Sequence, residues 1–396
     1  MTTTRVLVSG ASIAGPALAH WLHRRGAEVT VVEQAPGLRP GGQAVDARGV
    51  AKEVIRRMGL DAAVRAACTN TAGAYSVDAD GNVLETYRAE DHDGDGYVSE
   101  IEILRGDLAQ VLYDDTSSCV EYLFGDRIAE LTQDAEGVDV VFAGGDRRRF
   151  DLVVGADGLH SSLRAMVFGP REELVRHLGL VLAFYTVPNE FGLDGWMYDH
   201  QEAGRWAGLR PVPDATKAIA MLSFPAPDFD IDHRDVDAQK RLLREHMAGF
   251  GWQTPRILDH LDDAPDFYLD QVAQVVLERW SRGRVGLIGD AAFSASPMSG
   301  AGTGLALVGA YLLAGELAAA DWDPAAGFAG YQERMRDYVD ANQEIGRMDV
   351  EMLTATSPGA EPDMEAMTDL IARAVNGPEL PEYDGVPDSG PPTIPA

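Results

Sequence analysis

Six residues near the start of the chain, Gly10-Ala11-Ser12-Ile13-Ala14-Gly15, have the types and spacing of a phosphate-binding turn. Gly10 permits the tight turn, and Gly15 lets a following helix pack closely on the strand before it. The free N–H groups at the start of that helix point at a pyrophosphate and favour its charge. Ser12 stands where the dinucleotide fingerprint GxGxxG has its second glycine, and it is small enough to allow close approach. Glu33, followed by Gln34, ends the next apolar run. A carboxylate there accepts hydrogen bonds from adenosine ribose hydroxyls and repels a 2′-phosphate, so FAD or NAD is favoured over NADP.

A second stretch suggests different chemistry. Asp91 to Glu102 read DHDGDGYVSEIE, with acids at loop positions 1, 3 and 5, glycine at 6 and glutamate at 12. That is the spacing of a calcium-binding EF-hand loop. Such a loop needs a helix on each side. Upstream, Tyr75 to Tyr87 read as a hairpin around an Asp-Gly-Asn turn, and downstream SEIEIL alternates like a strand. We therefore expect β structure on both sides, no metal, and a solvated loop.

The elements around the first motif are legible. RVLVSG (5–10) is a buried parallel strand, AGPALAHWLHRRG a helix with proline in its first turn and glycine at its end, and EVTVVE (28–33) the next strand. The 396 residues suit two or three domains. The net charge is 33 − 63 = −30, which discounts nucleic acid and anionic membranes as partners. An acidic chain also generates acidic motifs by chance. The two cysteines, Cys68 and Cys119, allow one bridge at most, and a reduced, cytoplasmic setting is expected. No apolar run reaches roughly 18 residues, so no membrane span is expected. The N-terminus runs directly into a strand, so no signal peptide is expected.

Two further segments complete a pattern. FDLVVGADGLHSSLR (150–164) is a strand followed by an Ala-Asp-Gly turn. GRVGLIGDAAFSASPMSGAGTG (283–304) is a strand ending in Gly289-Asp290, a loop of small residues, and a helix start with alternating glycines. With these three ordered motifs, residues 1 to about 345 resemble the single-component (group A) FAD-dependent aromatic hydroxylases of the para-hydroxybenzoate hydroxylase-like fold. In size the chain is similar to the tetracycline-inactivating tailoring monooxygenases. The resemblance implies an α/β architecture: a Rossmann-like FAD-binding domain from residues 1–74, 100–170 and 276–325, a mixed-sheet substrate domain from 75–99 and 171–275, C-terminal helices over 326–375, and a flexible tail over 376–396.

The resemblance also implies residue roles. Gly10, Ser12 and Gly15 cradle the FAD pyrophosphate, Glu33 the ribose, and Asp290, after Gly289, the ribityl chain. Arg105 lies against FAD, and Asp46 and Arg48 lie on the segment passing the flavin. Asp157 belongs to a motif serving FAD and NAD(P)H together, and Arg39 is a candidate for the nicotinamide cofactor. Pro297 shapes the loop over the ring, and the helix start at Gly300, Gly302 and Thr303 stabilises its reduced, anionic form. The sequence departs from the family beside the ring, with Phe293 and Thr303 where many members have histidine and asparagine.

The middle of the chain reads as strands separated by turns, with Phe184, Trp196, Tyr198, Arg205 and Trp206 as candidate pocket residues. Arg205 stands out because an arginine within an apolar strand needs a partner.

The chemistry implied is that NADH or NADPH reduces FAD, dioxygen forms a flavin hydroperoxide, and its distal oxygen attacks a phenolic or polycyclic aromatic ring. An epoxidase or Baeyer–Villiger oxygenase on the same scaffold is an alternative. A halogenase lacks support, since no WxWxIP motif occurs. A calcium-binding module rests only on DHDGDGYVSEIE. No catalytic base is identified; His160 and His200 are candidates.

Overall fold

β1 (Arg5–Ser9) and β2 (Glu28–Glu33) pair in parallel around α1 (Ala14–Arg24), so the first apolar runs fold as a β-α-β unit. The structure, a computed structural model, describes residues 3–226, 235–355 and 364–383. β7 (Glu121–Phe124), β11 (Leu152–Gly155), β18 (Val285–Leu287) and β17 (Ser281–Arg282) complete a sheet of order β17-β18-β11-β1-β2-β7. Only β17 runs antiparallel to its neighbour. The central strands are apolar and buried on both faces, as a covered parallel sheet requires.

α10 (Gly302–Ala319) packs on α1 and on α11 (Pro324–Thr354). It is apolar all round because protein surrounds it. By length and composition alone α10 would pass for a membrane span; its residues instead fill the core. Helices α2 (Val50–Met58), α3 (Asp61–Ala66) and α4 (Arg105–Thr116) flank the first motif, while α5 (Ser162–Val167), α6 (Arg171–Leu174) and α9 (Asp290–Phe293) follow the second and third.

The second sheet has the order β16-β12-β15-β14-β13-β4-β5. Its strands are β4 (Gly73–Val77), β5 (Val83–Arg88), β12 (Val175–Pro188), β13 (Trp196–Glu202), β14 (Arg205–Pro211), β15 (Lys217–Pro225) and β16 (Tyr268–Val275). β4 and β13 are parallel and the other pairs antiparallel, giving a mixed sheet. Side chains alternate between faces. Ala183, Tyr185, Ala207, Leu209 and Leu222 pack on α7 (Val236–Met247) and α8 (Thr254–Asp259). Leu182, Phe184, Trp206 and Met221 occupy the opposite face, where Leu182, Phe184 and Trp206 cluster with Val350 and Leu353 of α11. Two small sheets complete the fold: the meander β8 (Ile128–Gln133), β9 (Val138–Phe142), β10 (Arg147–Phe150), and the pair β3 (Ala44–Asp46) with β6 (Glu102–Leu104).

The tail departs from expectation. After α12 (Met364–Asn376), Gly377 to Tyr383 are docked rather than loose. Tyr383 donates to Glu316 Oε1 at 2.7 Å and its ring lies over Gly315, where a Cβ would be 2.1 Å from it. Arg25 stacks on the same ring. Residues 384–396 lie outside the described residues. Both cysteines are free thiols, so the one possible bridge does not form.

Candidate active site

Three glycine contacts draw the motifs together. A Cβ on Gly10 would sit 2.4 Å from Ala156 O, and Gly10 has φ +112°, so the first turn touches the Asp-Gly segment with only hydrogen between. A Cβ on Gly289 would lie 3.0 Å from Ala14 Cβ, which seats the Gly-Asp turn on the start of α1. A Cβ on Gly302 would lie 3.8 Å from Asp290 Oδ1, which brings α10 to the same place. Arg164 locks the arrangement: it is buried and donates to Ala291 O at 3.0 Å and Leu159 O at 2.6 Å, joining the second and third motifs.

The cradle fits a dinucleotide. Neither α1 nor α10 has a side-chain cap or an acidic residue in its first turn, so their leading N–H groups are open to an anion. Glu33 holds the turn in shape, accepting from Ala11 N at 2.9 Å and Ala35 N at 2.8 Å. A groove of about 820 Å³ continues from it, lined by Gln34, Ala35, Gly37, Arg39, Asp126 and Arg127 among others. Arg39 is exposed there, and its carbonyl packs on Gly106 beside Arg105.

Asp290 lies deep in the protein yet keeps solvent-accessible surface, so its carboxylate faces an internal channel. Burial pushes its pKa up, against the charges of Arg105 and Arg164. Arg105 is exposed and donates its backbone N–H to Gln43 O at 3.0 Å, while its guanidinium makes no hydrogen bond or ion pair among the described residues, which leaves it for an anionic ligand. These features accommodate the pyrophosphate, ribose and ribityl groups of FAD.

Arg48 bonds Asp46 at 2.9 Å, and its Nη1 would be 2.7 Å from a Cβ on Gly300, so the segment 46–48 meets the start of α10. Before it, Ser296 takes φ +84°, a strained value for a non-glycine residue, and caps the short 3₁₀ turn Pro297–Ser299. Thr303 is buried within α10. Asp157 accepts from Ser161 Oγ at 2.5 Å and Leu163 N at 3.1 Å, holding the start of α5. One expectation needs correction. Phe293 does not sit beside the ring but packs in the core, 4.7 Å from Trp280 between ring centroids.

Strand parity sorts the pocket candidates. Phe184 and Trp206 lie on the face toward the first domain. Trp196 and Tyr198 lie on the other face: Tyr75 lies within ring contact of both, stacked on Trp196, and Tyr198 packs on the helix-side core. Arg205 also points away, donating to Ala248 O at 3.2 Å and stacking on Phe250. His200 is on that side too, bonded to Val77 O at 2.9 Å. No motif or spacing marks Tyr97, Asp199 and Arg210; Asp199 and Arg210 lie on the inner face, and Tyr97, from the loop before β6, reaches Asp199.

The calcium-like loop has other employment. Glu102 is buried; its oxygens accept from Thr69 and Thr71, each at 2.6 Å, and from Arg210. Asp95 is held by Lys52 at 2.9 Å, and Asp91 accepts from Arg88 N at 2.7 Å. β5 precedes the loop and β6 follows it. The second half is not solvated as expected, since Val98, Ser99, Ile101 and Glu102 are buried beneath it.

Asp199, 7% exposed, has its carboxyl pushed up to about 6 by burial, opposed by the Trp206 hydrogen bond, the His200 charge, the Tyr97 hydrogen bond and the Arg210 charge. An acid with a raised folded value stabilises the fold while protonated and loses that contribution as pH rises through the folded value. Stability should therefore fall between about pH 4 and pH 6, by on the order of 2–3 kcal/mol from this group. Asp199→Asn should remove most of that fall, which urea unfolding at the two ends of the window would measure.

Comparison with known proteins decides the family. The FAD binding domain family matches residues 3–341. A flavin-dependent monooxygenase from an unknown prokaryotic organism is 39% identical over 96% of this chain and 99% of its own. An uncharacterised protein of Mycobacterium tuberculosis is 48% identical over 85% of this chain and 91% of its own. The crystal structure of tetracycline destructase Tet(55) is 38% identical with a TM-score of 0.85, covering 96% of this chain and 99% of that one. The chain belongs to the FAD-dependent monooxygenases. In this monooxygenase the three glycine contacts bring the turn at Gly10, Asp290 and the start of α10 to one place, with Arg105 acting on Asp290, and the inner face of the seven-stranded sheet packs toward α11.

Proposed function

We propose that this monooxygenase uses NADH or NADPH to place one oxygen atom from dioxygen on a phenolic or polycyclic aromatic small molecule. The observation that carries this is the inner sheet face, where Phe184 and Trp206 offer aromatic surface and Tyr97, Asp199 and Arg210 offer polar groups opposite the start of α10. The likeness to the tetracycline destructase, an enzyme named for a polycyclic substrate, supports the class. FAD supplies the redox and oxygen-activating chemistry when bound. The chain's residues hold the cofactor, stack the aromatic ring and keep water out. The open N–H groups at Gly302 and Thr303 favour negative charge. The two free thiols are in keeping with a reducing, cytoplasmic setting.

The purified protein should be yellow. A panel of phenols and polycyclic aromatics should contain compounds that accelerate NADH or NADPH oxidation and return with one added oxygen by mass. A panel in which oxidation rises but every compound returns unchanged would sink the substrate class.

A further inference from the structure

One chain of side chains leads from the channel to the surface. Tyr268 opens β16 and is 46% exposed although it lies deep in the protein; the charges of Arg105 and Asp290 both act on it. Its phenol therefore faces the FAD channel. Its hydroxyl donates to Asp270 Oδ2 at 2.9 Å, and Asp270 is 4% exposed with Oδ1 fixed by Gln271 N at 2.8 Å. His160 Nε2, from the loop after the Asp-Gly turn, lies 2.7 Å from the same Oδ2, and its ring is 40% exposed. Arg171 Nη1 lies 2.7 Å from His160 Nδ1.

These contacts assign the protons. A guanidinium only donates, so Nδ1 is the bare nitrogen and Nε2–H is aimed at Asp270. The carboxylate is thus buried between a phenol on the channel and an imidazole open to solvent, on separate elements of the fold. The charged groups facing this path are Arg171 at its outer end, and Arg105 and Asp290 at its inner end.

We propose that His160, Asp270 and Tyr268 form a proton path from solvent to the FAD channel, supplying the proton consumed there when dioxygen is reduced. In one delivery Arg171 leaves Nδ1 and a solvent proton adds to it. The Nε2–H bond breaks and that proton passes to Asp270 Oδ2. The Tyr268 hydroxyl turns from Asp270 Oδ2 toward the channel, its O–H bond breaks toward the acceptor there, and Asp270 passes its proton to the Tyr268 oxygen, which restores the resting bond. One proton enters, one leaves, and no electrons move along the path. The imidazole ends in its other tautomer and resets by exchange with solvent. Bound FAD, when reduced and anionic, would supply two electrons and one proton to dioxygen, and this path would supply the second proton that hydrogen peroxide needs.

The inference rests on FAD binding and not on the substrate class proposed above, so its test uses neither NAD(P)H nor an organic substrate. Photoreduced holoenzyme is mixed with aerated buffer, and the return of oxidised-flavin absorbance is followed in light and heavy water. His160→Ala and Tyr268→Phe should each slow this return by at least about tenfold. Both should keep a full FAD load and the wild-type resting spectrum. Imidazole in the buffer should restore His160→Ala and leave Tyr268→Phe slow, and the double variant should be no slower than either single one. His160→Gln keeps a donor to Asp270 and should be as slow as His160→Ala. If His160→Gln reoxidises at the wild-type rate, or imidazole restores nothing, the three residues only fasten β16 to the Asp-Gly loop and the proposal falls.

Discussion

Gly15→Ala should yield folded protein that retains little or no FAD. The cause is space alone, because Gly15 is not among the residues with positive φ. A Cβ there would lie 1.9 Å from Gly10 O and 3.5 Å from Val8 Cγ1. The first contact is with backbone, which cannot rotate away as a side-chain tip can. The turn must open, and the N–H groups of α1 then lose their aim at the pyrophosphate. Overpacking of this kind costs on the order of 1–3 kcal/mol, and a loss of about 3 kcal/mol is about a hundredfold in FAD affinity. Gly26→Ala is the control: Gly26 has φ +86° but no atom within 4 Å of a Cβ. It should lose about 1–2 kcal/mol of stability from backbone strain and keep its colour. The ratio of flavin to protein absorbance after gel filtration, with excess FAD removed, measures both. A yellow Gly15→Ala protein would mean that the turn relaxes without moving the phosphate site.

The same glycines explain why the cofactor half of the molecule was legible. Gly10 and Gly15 mark places where backbone approaches backbone, and Gly289, at φ +60°, a place where a Cβ would press on Ala14 Cβ; such places admit few other residues. Their types and order therefore survive as a readable pattern. The substrate half carries no such mark. In β14, Arg205 and Arg210 are both arginines near the ends of one apolar strand. Spacing shows only that they face opposite ways. Deciding which one faces the channel requires knowing that α7 covers the face of Ala207 and Leu209, a fact of packing between segments far apart in sequence. Arg205, the expected pocket residue, faces the α7 side, and Arg210 faces the inner side. Trp196 and Tyr198 went astray by the same parity. The DHDGDGYVSEIE loop shows the converse. Its spacing was complete, and what overruled it was its neighbours: β5 before it, β6 after it, and a cation or hydroxyl already placed at Glu102 and Asp95.

Glu102→Ala should be among the most destabilising single changes available in this chain, because of what it leaves behind. Glu102 and Arg210 form a buried ion pair, and the two hydroxyls of Thr69 and Thr71 occupy the remaining carboxylate oxygen. Removing the carboxylate strands the guanidinium in the interior with Asp46 as a more distant counter-charge. Breaking a buried pair by deleting one partner costs about 3–5 kcal/mol, far more than the net worth of the intact pair. The double variant Glu102→Leu with Arg210→Met removes both charges and should recover most of the loss, to within about 1–2 kcal/mol of wild type. The two variants separate folding from function. Urea unfolding of the FAD-loaded proteins should show a large fall in midpoint for Glu102→Ala and a small one for the double variant. Turnover should stay low in both, because the double variant lacks Arg210 and Glu102→Ala removes the carboxylate that holds Arg210 on the inner face, where the aromatic substrate is proposed to lie. An unchanged midpoint for Glu102→Ala would mean that water reaches Arg210 and that the pair is not buried in solution. A double variant with full stability and full turnover would place the substrate elsewhere on the sheet, away from Arg210.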